Sequence, residues 1–316
     1  YAKHVKYAEY DKYEYVKYTT VMEKTLPEIS FQVHSDNTRA VRPWDALIDG
    51  VLCVNDKRVE MRVNRWGIAL SNIPGMDNTR VELNFPSEDC HFGGMNGGRV
   101  TCYPLRGSVS SYLITERRML EYTEAFPMLR LVMDSRKRIW ELGPGLSECC
   151  DALAEKGADV TAFDSAPYDV FYAATQVAIT DEGIRSMVGS DRIEHESFVG
   201  WRDRCAKRLT SPSVRLVSGR VPDVFDTVVD DQRPDVIIEM NGPGVSLFDN
   251  KNVRNELGDN RFSDLPAVLR HRPIHEYIRR LVDQLAPDGF LCFQLGSDSS
   301  NMIRITKYKE DIERML

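Results

Sequence analysis

The sequence predicts an α/β protein, in which a doubly wound, mostly parallel sheet is preceded by a smaller β-rich N-terminal domain. Two observations lead there. Short apolar runs at Arg138-Ile-Trp-Glu-Leu142, Asp159-Val-Thr-Ala-Phe163, Val214-Arg-Leu-Val217, Asp235-Val-Ile-Ile-Glu239 and Gly289-Phe-Leu-Cys-Phe-Gln294 alternate with helical stretches, the pattern of parallel strands joined by crossovers. Nearer the N-terminus, Ile29-Ser-Phe-Gln-Val33 and Val81-Glu-Leu-Asn-Phe85 alternate apolar with polar residues between turn signals, the pattern of short antiparallel strands.

Residues 1–25 form a Tyr/Lys-rich arm, with Tyr7, Tyr10, Tyr13, Tyr15 and Tyr18 among Lys3, Lys6, Lys12 and Lys17. Interleaved aromatics and bases suit single-stranded nucleic acid, but Glu9, Asp11 and Glu14 dilute the charge, and an amphipathic arm packing its tyrosines on the body or a partner is preferred. Residues 26–115 make the β-rich region. The Gly93-Gly-Met-Asn-Gly-Gly98 run has no Gly-Lys-Ser/Thr ending, so it reads as a hairpin or lid rather than a phosphate loop. Glu116 to Leu131 reads as a helix entering the second domain, 116–316.

Arg138 to Leu142 opens that domain as a buried strand. Gly143-Pro-Gly145 is a tight turn, Ser147 caps a helix running to Lys156, and a second strand ends at Asp164. This βαβ order puts glycines where a nucleotide approaches the backbone and a carboxylate where ribose hydroxyls would lie. Tyr168 to Ala178 is the next helix, Ser186 to Leu209 is left unassigned, and strands three and four end at Ser218-Gly-Arg220 and Met240-Asn-Gly-Pro-Gly244. His275 to Leu285 is an amphipathic helix. Ligands of such sheets bind at the carboxyl ends of the strands near the switch point. Residues 143–147, 164–168, 218–221 and 239–245 are therefore expected to line one cleft.

Composition narrows the function classes. The chain has 316 residues, 28% charged, with a net charge of −7, which argues against a broad nonspecific grip on nucleic acid. Seven cysteines are scattered without a CxxC pair, so reduced thiols in a cytoplasmic compartment are expected and a metal site is not. No apolar run is long enough to span a bilayer. Basic clusters at Arg202, Arg204, Lys207, Arg208 and at Arg270, His271, Arg272, Arg279, Arg280 read as solvated helix faces, with an RNA acceptor as the alternative.

Glu141-Leu-Gly-Pro-Gly145, with Asp164 ending the next strand, resembles the nucleotide site of class I S-adenosylmethionine-dependent methyltransferases, whose Rossmann-like sheet matches the predicted one. Over a longer span the chain is similar to the polyamine aminopropyltransferases, a spermidine synthase-like family with an N-terminal β domain. Ile48-Asp-Gly-Val-Leu52, Tyr122-Thr-Glu124, Asp235-Val-Ile-Ile238, Gly242-Pro243, Ser246-Leu-Phe248, Gly289-Phe-Leu-Cys-Phe-Gln294 and Ser297 follow that family's order. The resemblance implies S-adenosylmethionine, or its decarboxylated form, held by Glu141, Gly143, Pro144, Gly145, Asp164, Ser165, Gly219 and Arg220, with Glu239 and Asn241 as catalytic candidates. Tyr168, Asp169 and Glu124 are further polar candidates near the acceptor, and Asn301 to Leu316 resembles that family's closing helix after the fifth strand.

Departures from the aminopropyltransferase pattern fall where the chemistry would be. Leu146-Ser147, Arg220 and Met240 stand where that family has acids, Cys53 where it has a glutamine and Thr123 where it has a histidine. A protonated polyamine needs anions to offset its desolvation. The sequence therefore points first to a transferase moving a methyl group to a nitrogen or oxygen acceptor, preferably a small molecule. Aminopropyl transfer and a catalytically silent regulatory relative are the alternatives, and a homodimer through the N-terminal region is left open.

Overall fold

The computed structural model describes residues 25–34, 48–65, 67–76, 79–84, 99–104, 137–145, 147–189, 196–227, 233–240, 242–244, 265–295 and 303–316. The Tyr/Lys-rich arm, the Gly93–Gly98 run, the Glu116 to Leu131 helix and the boundary near residue 115 lie outside these residues.

Six strands, β1 (Ile29–Val33), β2 (Ile48–Val54), β3 (Lys57–Asn64), β4 (Gly67–Ser71), β5 (Thr79–Asn84) and β6 (Arg99–Pro104), form one antiparallel sheet in sequential order. The period of two is plain in β3, where Val59, Met61 and Val63 are buried while Arg58, Glu60 and Arg62 are exposed. A single sheet with one apolar face must cover it with another layer. Here helices from the second half of the chain do so: the buried side chains of β2 to β5 share a core with Tyr168, Val170, Phe171, Trp201 and Cys205. Lys57 Nζ, in the same sheet, reaches the largely buried Asp169 Oδ2 at 2.5 Å.

The second sheet contains β7 (Arg138–Leu142), β8 (Asp159–Asp164), β9 (Val214–Ser218), β10 (Val236–Met240), β11 (Phe290–Leu295) and β12 (Ile303–Tyr308) in the order β12-β11-β10-β7-β8-β9. Only β12 runs antiparallel to its neighbour. Helices α1 (Cys149–Glu155), α2 (Tyr168–Thr180), α3 (Glu182–Val188), α4 (Glu196–Thr210), α5 (Leu265–Arg270), α6 (Arg272–Gln284) and α7 (Lys309–Glu313) connect or follow the strands. Successive side chains of the central strands enter different cores, Ile139 and Ile238 one, Trp140 and Ile237 the other. Burial on both faces is why these strands read as nearly unbroken apolar runs. In α6, Ile274, Tyr277, Ile278, Leu281 and Val282 form the buried stripe at helical spacing,.

One expectation is corrected in this sheet. Residues 303–308 are an edge strand rather than part of a closing helix, and only Lys309–Glu313 is helical. Ile305 points inward while Arg304, Lys307 and Tyr308 are exposed. Charged side chains are how an edge strand avoids further pairing, and they also make it resemble a solvated helix in sequence. The alternation through Ile303 and Ile305 was the available strand signal. No helix among the described residues is long and apolar enough to cross a membrane.

Candidate functional site

The chain leaves β7 for β8 and β9 on one side and returns to β10 and β11 on the other, so the crossovers diverge where β7 adjoins β10. That divergence opens a crevice at the carboxyl ends of the strands. The described parts of the four predicted segments all lie at this end of the sheet.

Gly143 and Gly145 adopt φ of 60° and 57°, the left-handed region that glycine occupies without the steric cost of a Cβ. Gly143 N–H donates to Phe163 O at 2.7 Å, tying the turn to β8. A Cβ on Gly143 would lie 2.8 Å from Pro243 Cδ and 3.1 Å from Gly242 Cα. Its close approach is thus to the loop after β10. Gly143→Ala is expected to cost at least about 2 kcal/mol of stability from backbone strain and this contact; chemical denaturation would measure it, and a loss below 0.5 kcal/mol, on the order of experimental scatter, would contradict the packing.

Asp164, at the end of β8, turns its carboxylate into the turn. Oδ2 accepts from Gly145 N–H at 3.0 Å and from the Tyr168 hydroxyl at 2.6 Å, and Oδ1 accepts from Ala166 N–H at 2.9 Å. The Tyr168 oxygen is also 2.7 Å from Gly145 O, so one phenolic proton lies between two acceptors. Burial, followed by the Asp164 charge, pushes the Tyr168 phenol well above its ordinary pKa, which keeps it a donor. Ser165, beside the acid, is exposed, and Gly145 is half-buried.

Several predicted residues serve the protein's interior instead. Glu141 is 1% exposed, accepts from the Cys150 thiol at 2.7 Å and so anchors α1 beneath the turn. Pro144 is buried, and its carbonyl accepts from Ser147 N–H. Ser147 is not the expected cap: the N-cap is Glu148, without a side-chain cap bond, and Ser147 Oγ, one residue earlier, accepts from Cys149 N–H at 3.0 Å. Gly219 has its own packing reason, since a Cβ there would meet Val224 Cγ2 at 2.7 Å. Arg220 is exposed at the mouth.

Glu239 is fully buried. Its Oε1 accepts from Gly244 N–H and its Oε2 from the Tyr277 hydroxyl, both at 2.5 Å. A carboxylate enclosed in this way braces the loop after β10. Arg272, on the exposed side of α6, pairs with Glu276. Asn241 and Glu124 lie outside the described residues.

Sequence reasoning missed Arg208 and Tyr277. Arg208 is 4% exposed, and its Nη2 donates to Ser147 O at 2.7 Å while Nη1 has no hydrogen-bond partner among the described residues. It looked like one member of a basic cluster, yet Trp201, Cys205 and Arg208 fall at i, i+4 and i+7, one face of a helix. Tyr277 likewise sits within the apolar stripe of α6. Four other bases of the clusters are engaged with acids: Arg202 with Asp203, Arg204 with Glu148, Lys207 with Asp151 and Glu155, and Arg280 with Asp223 and Asp226.

No family model and no curated protein matches the chain. Among solved structures it is similar to a SAM-dependent methyltransferase from Thiobacillus denitrificans in complex with S-adenosyl-L-homocysteine, at 14% identity and TM-score 0.27, over 54% of this chain and 48% of that one. It is also similar to the glycopeptide N-methyltransferase MtfA, at 14% identity and TM-score 0.29, over 58% of each chain. A third likeness is to a putative protein-L-isoaspartate O-methyltransferase from Plasmodium falciparum in complex with S-adenosyl-L-homocysteine, at 12% identity and TM-score 0.30, over 64% of this chain and 73% of that one. The chain spans about half the length of the first of these.

Proposed function

We propose that the chain binds S-adenosylmethionine in the crevice between the ends of β7 and β10 and transfers its methyl group to a nitrogen or oxygen acceptor. The observation that supports this reading is the unspent acceptor direction of Asp164. A carboxylate offers about four hydrogen-bond sites, and three are taken by Gly145, Tyr168 and Ala166. The fourth, on Oδ1 at the end of β8, fits a ribose hydroxyl beside a glycine turn at the switch point. The residues present therefore fit the nucleoside through one hydrogen bond to its sugar.

In this reading Asp164 Oδ1 orients the sugar, the Gly145 backbone and Ser165 border it, and Arg220 lies at the rim. The sulfonium supplies a carbon already activated for transfer, so the protein's work is alignment and exclusion of water. With Glu239 enclosed, Asn241 is the remaining candidate for orienting the acceptor. A small molecule is the favoured acceptor, because Arg202, Arg204, Lys207, Arg272 and Arg280 of the basic clusters are paired with acids, which leaves less free charge for a phosphate track.

A second reading, a nucleoside-binding subunit without catalysis, is favoured by the enclosure of Glu239. Aminopropyl transfer from the decarboxylated donor would require anions for the amine; of the described strand-end carboxylates, Glu239 is enclosed and Asp164 keeps one acceptor direction, which the sugar takes. Calorimetric titration with S-adenosylmethionine, its decarboxylated form and S-adenosylhomocysteine separates the three. Binding of the carboxylated donor followed by turnover on an amine or hydroxyl panel supports methyl transfer; binding without turnover supports the silent subunit; preference for the decarboxylated donor supports aminopropyl transfer. Asp164→Ala is expected to lose roughly 1.5–3 kcal/mol of nucleoside binding, the worth of a hydrogen bond to a charged group. Silence of the unaltered protein toward all three nucleosides would overturn the site.

A further inference from the structure

Two acceptor positions on one carboxylate are the ordinary means of gripping a ribose diol, one oxygen for each hydroxyl. At Asp164 this is not available. Oδ2 already accepts from Gly145 N–H at 3.0 Å and the Tyr168 hydroxyl at 2.6 Å, which fills both of its lone-pair directions. Among the described residues, Oδ1 accepts only from Ala166 N–H, at 2.9 Å. Tyr168 cannot be displaced cheaply, because its ring is 2% exposed within the core shared by α2 and the antiparallel sheet. Its helix is further held at the next residue by the Lys57–Asp169 ion pair.

We infer that the Tyr168 hydroxyl takes the place of one sugar hydroxyl at Asp164, so that the site recognises its nucleoside through a single ribose hydroxyl and tolerates a deoxynucleoside lacking the other. The inference rests on the nucleoside reading above and adds a specificity to it. Tyr168 is the specificity-determining residue: it does not touch the ligand but decides how much of the carboxylate remains for it. Nothing covalent is involved, only the number of donors competing for one oxygen.

The test is calorimetric titration of the unaltered protein and Tyr168→Phe with S-adenosylhomocysteine and its 2′-deoxy and 3′-deoxy analogues. The unaltered protein is expected to bind one deoxy analogue within about threefold of the ribonucleoside and the other at least roughly tenfold more weakly, the loss of one charge-assisted hydrogen bond. Tyr168→Phe keeps the buried ring and frees Oδ2, so it should bind the ribonucleoside more tightly and reject both deoxy analogues by roughly tenfold. Rejection of both analogues by the unaltered protein would overturn the inference while leaving the nucleoside site standing. So would an unchanged preference in Tyr168→Phe of native melting temperature. Absence of any ribonucleoside binding to either protein would overturn the site itself. The comparison on the unaltered protein needs no variant to fold.

Discussion

Replacing Arg208 by methionine is expected to cost about 3–5 kcal/mol of stability, the usual result of removing one partner from a buried charge cluster. The guanidinium lies under the glycine turn, 4% exposed, and its Nη2 holds the Ser147 carbonyl at 2.7 Å. Burial pulls its pKa down, but Cys150, Tyr168, Glu141 and Asp151 outweigh that effect and hold it above its ordinary value. Methionine fills a similar volume, so the loss would report charge and hydrogen bonding rather than a cavity. It would leave the Glu141 carboxylate, 1% exposed, without that cation. Chemical denaturation of the variant measures the effect directly. A cost below about 1 kcal/mol, the worth of an ordinary neutral hydrogen bond, would show that the buried charges are balanced by other groups. Arg208→Lys should fall between, because lysine retains the charge but not the planar fork.

Alkaline pH is expected to unfold the protein steeply from about pH 9 upward, the ordinary thiol range. Burial, the largest cause in every case, raises the thiols of Cys149, Cys150, Cys205 and Cys292 in the folded state. For Cys205 the rise is from 9.0 to about 12. A raised folded-state pKa means that the unfolded chain loses its protons first. The stabilising contribution is whole below the unfolded value and is lost as pH climbs toward the folded one, for Cys205 between 9.0 and about 12,. Each such thiol contributes a slope of about 1.4 kcal/mol per pH unit, so four together approach roughly 5 kcal/mol per unit. Domains are ordinarily stable by about 5–15 kcal/mol, and unfolding is therefore expected by about pH 11. The phenols of Tyr168 and Tyr277, also raised by burial and then by their carboxylate neighbours, add to the slope above about pH 10,. Thermal unfolding under reductant between pH 7 and 11 would reveal the fall. A melting temperature that stayed level to pH 10.5 would rule out the enclosed thiols as its source, and Cys205→Ala should make the decline shallower.

Much of the β-strand framework could be read from residue patterns because its causes are local. The apolar runs around Ile139, Val160 and Ile237 needed only burial on both faces, and the β3 alternation of Val59, Met61 and Val63 needed only a half-buried face,. The glycine turn was legible for a similar reason, since Gly-Pro-Gly between a strand and a helix has few conformations open to it. The edge strand β12 was harder, because its exposed Arg304 and Lys307 hide the period of two behind the polarity of a surface helix.

By itself, the sequence determined the order of parallel strands and helices, the βαβ unit that opens the second sheet, and which residue types stand at the strand ends. Tertiary structure alone decided what those residues do. The Tyr277 hydroxyl that occupies Glu239 comes from 38 residues further along the chain, and the guanidinium on Ser147 from 61. Even the Tyr168 hydroxyl, only four residues from Asp164, meets the carboxylate because the start of α2 packs under a turn 23 residues earlier. A carboxylate has a fixed number of acceptor positions, and whether protein donors or a ligand fill them depends on which groups the fold brings within about 3 Å.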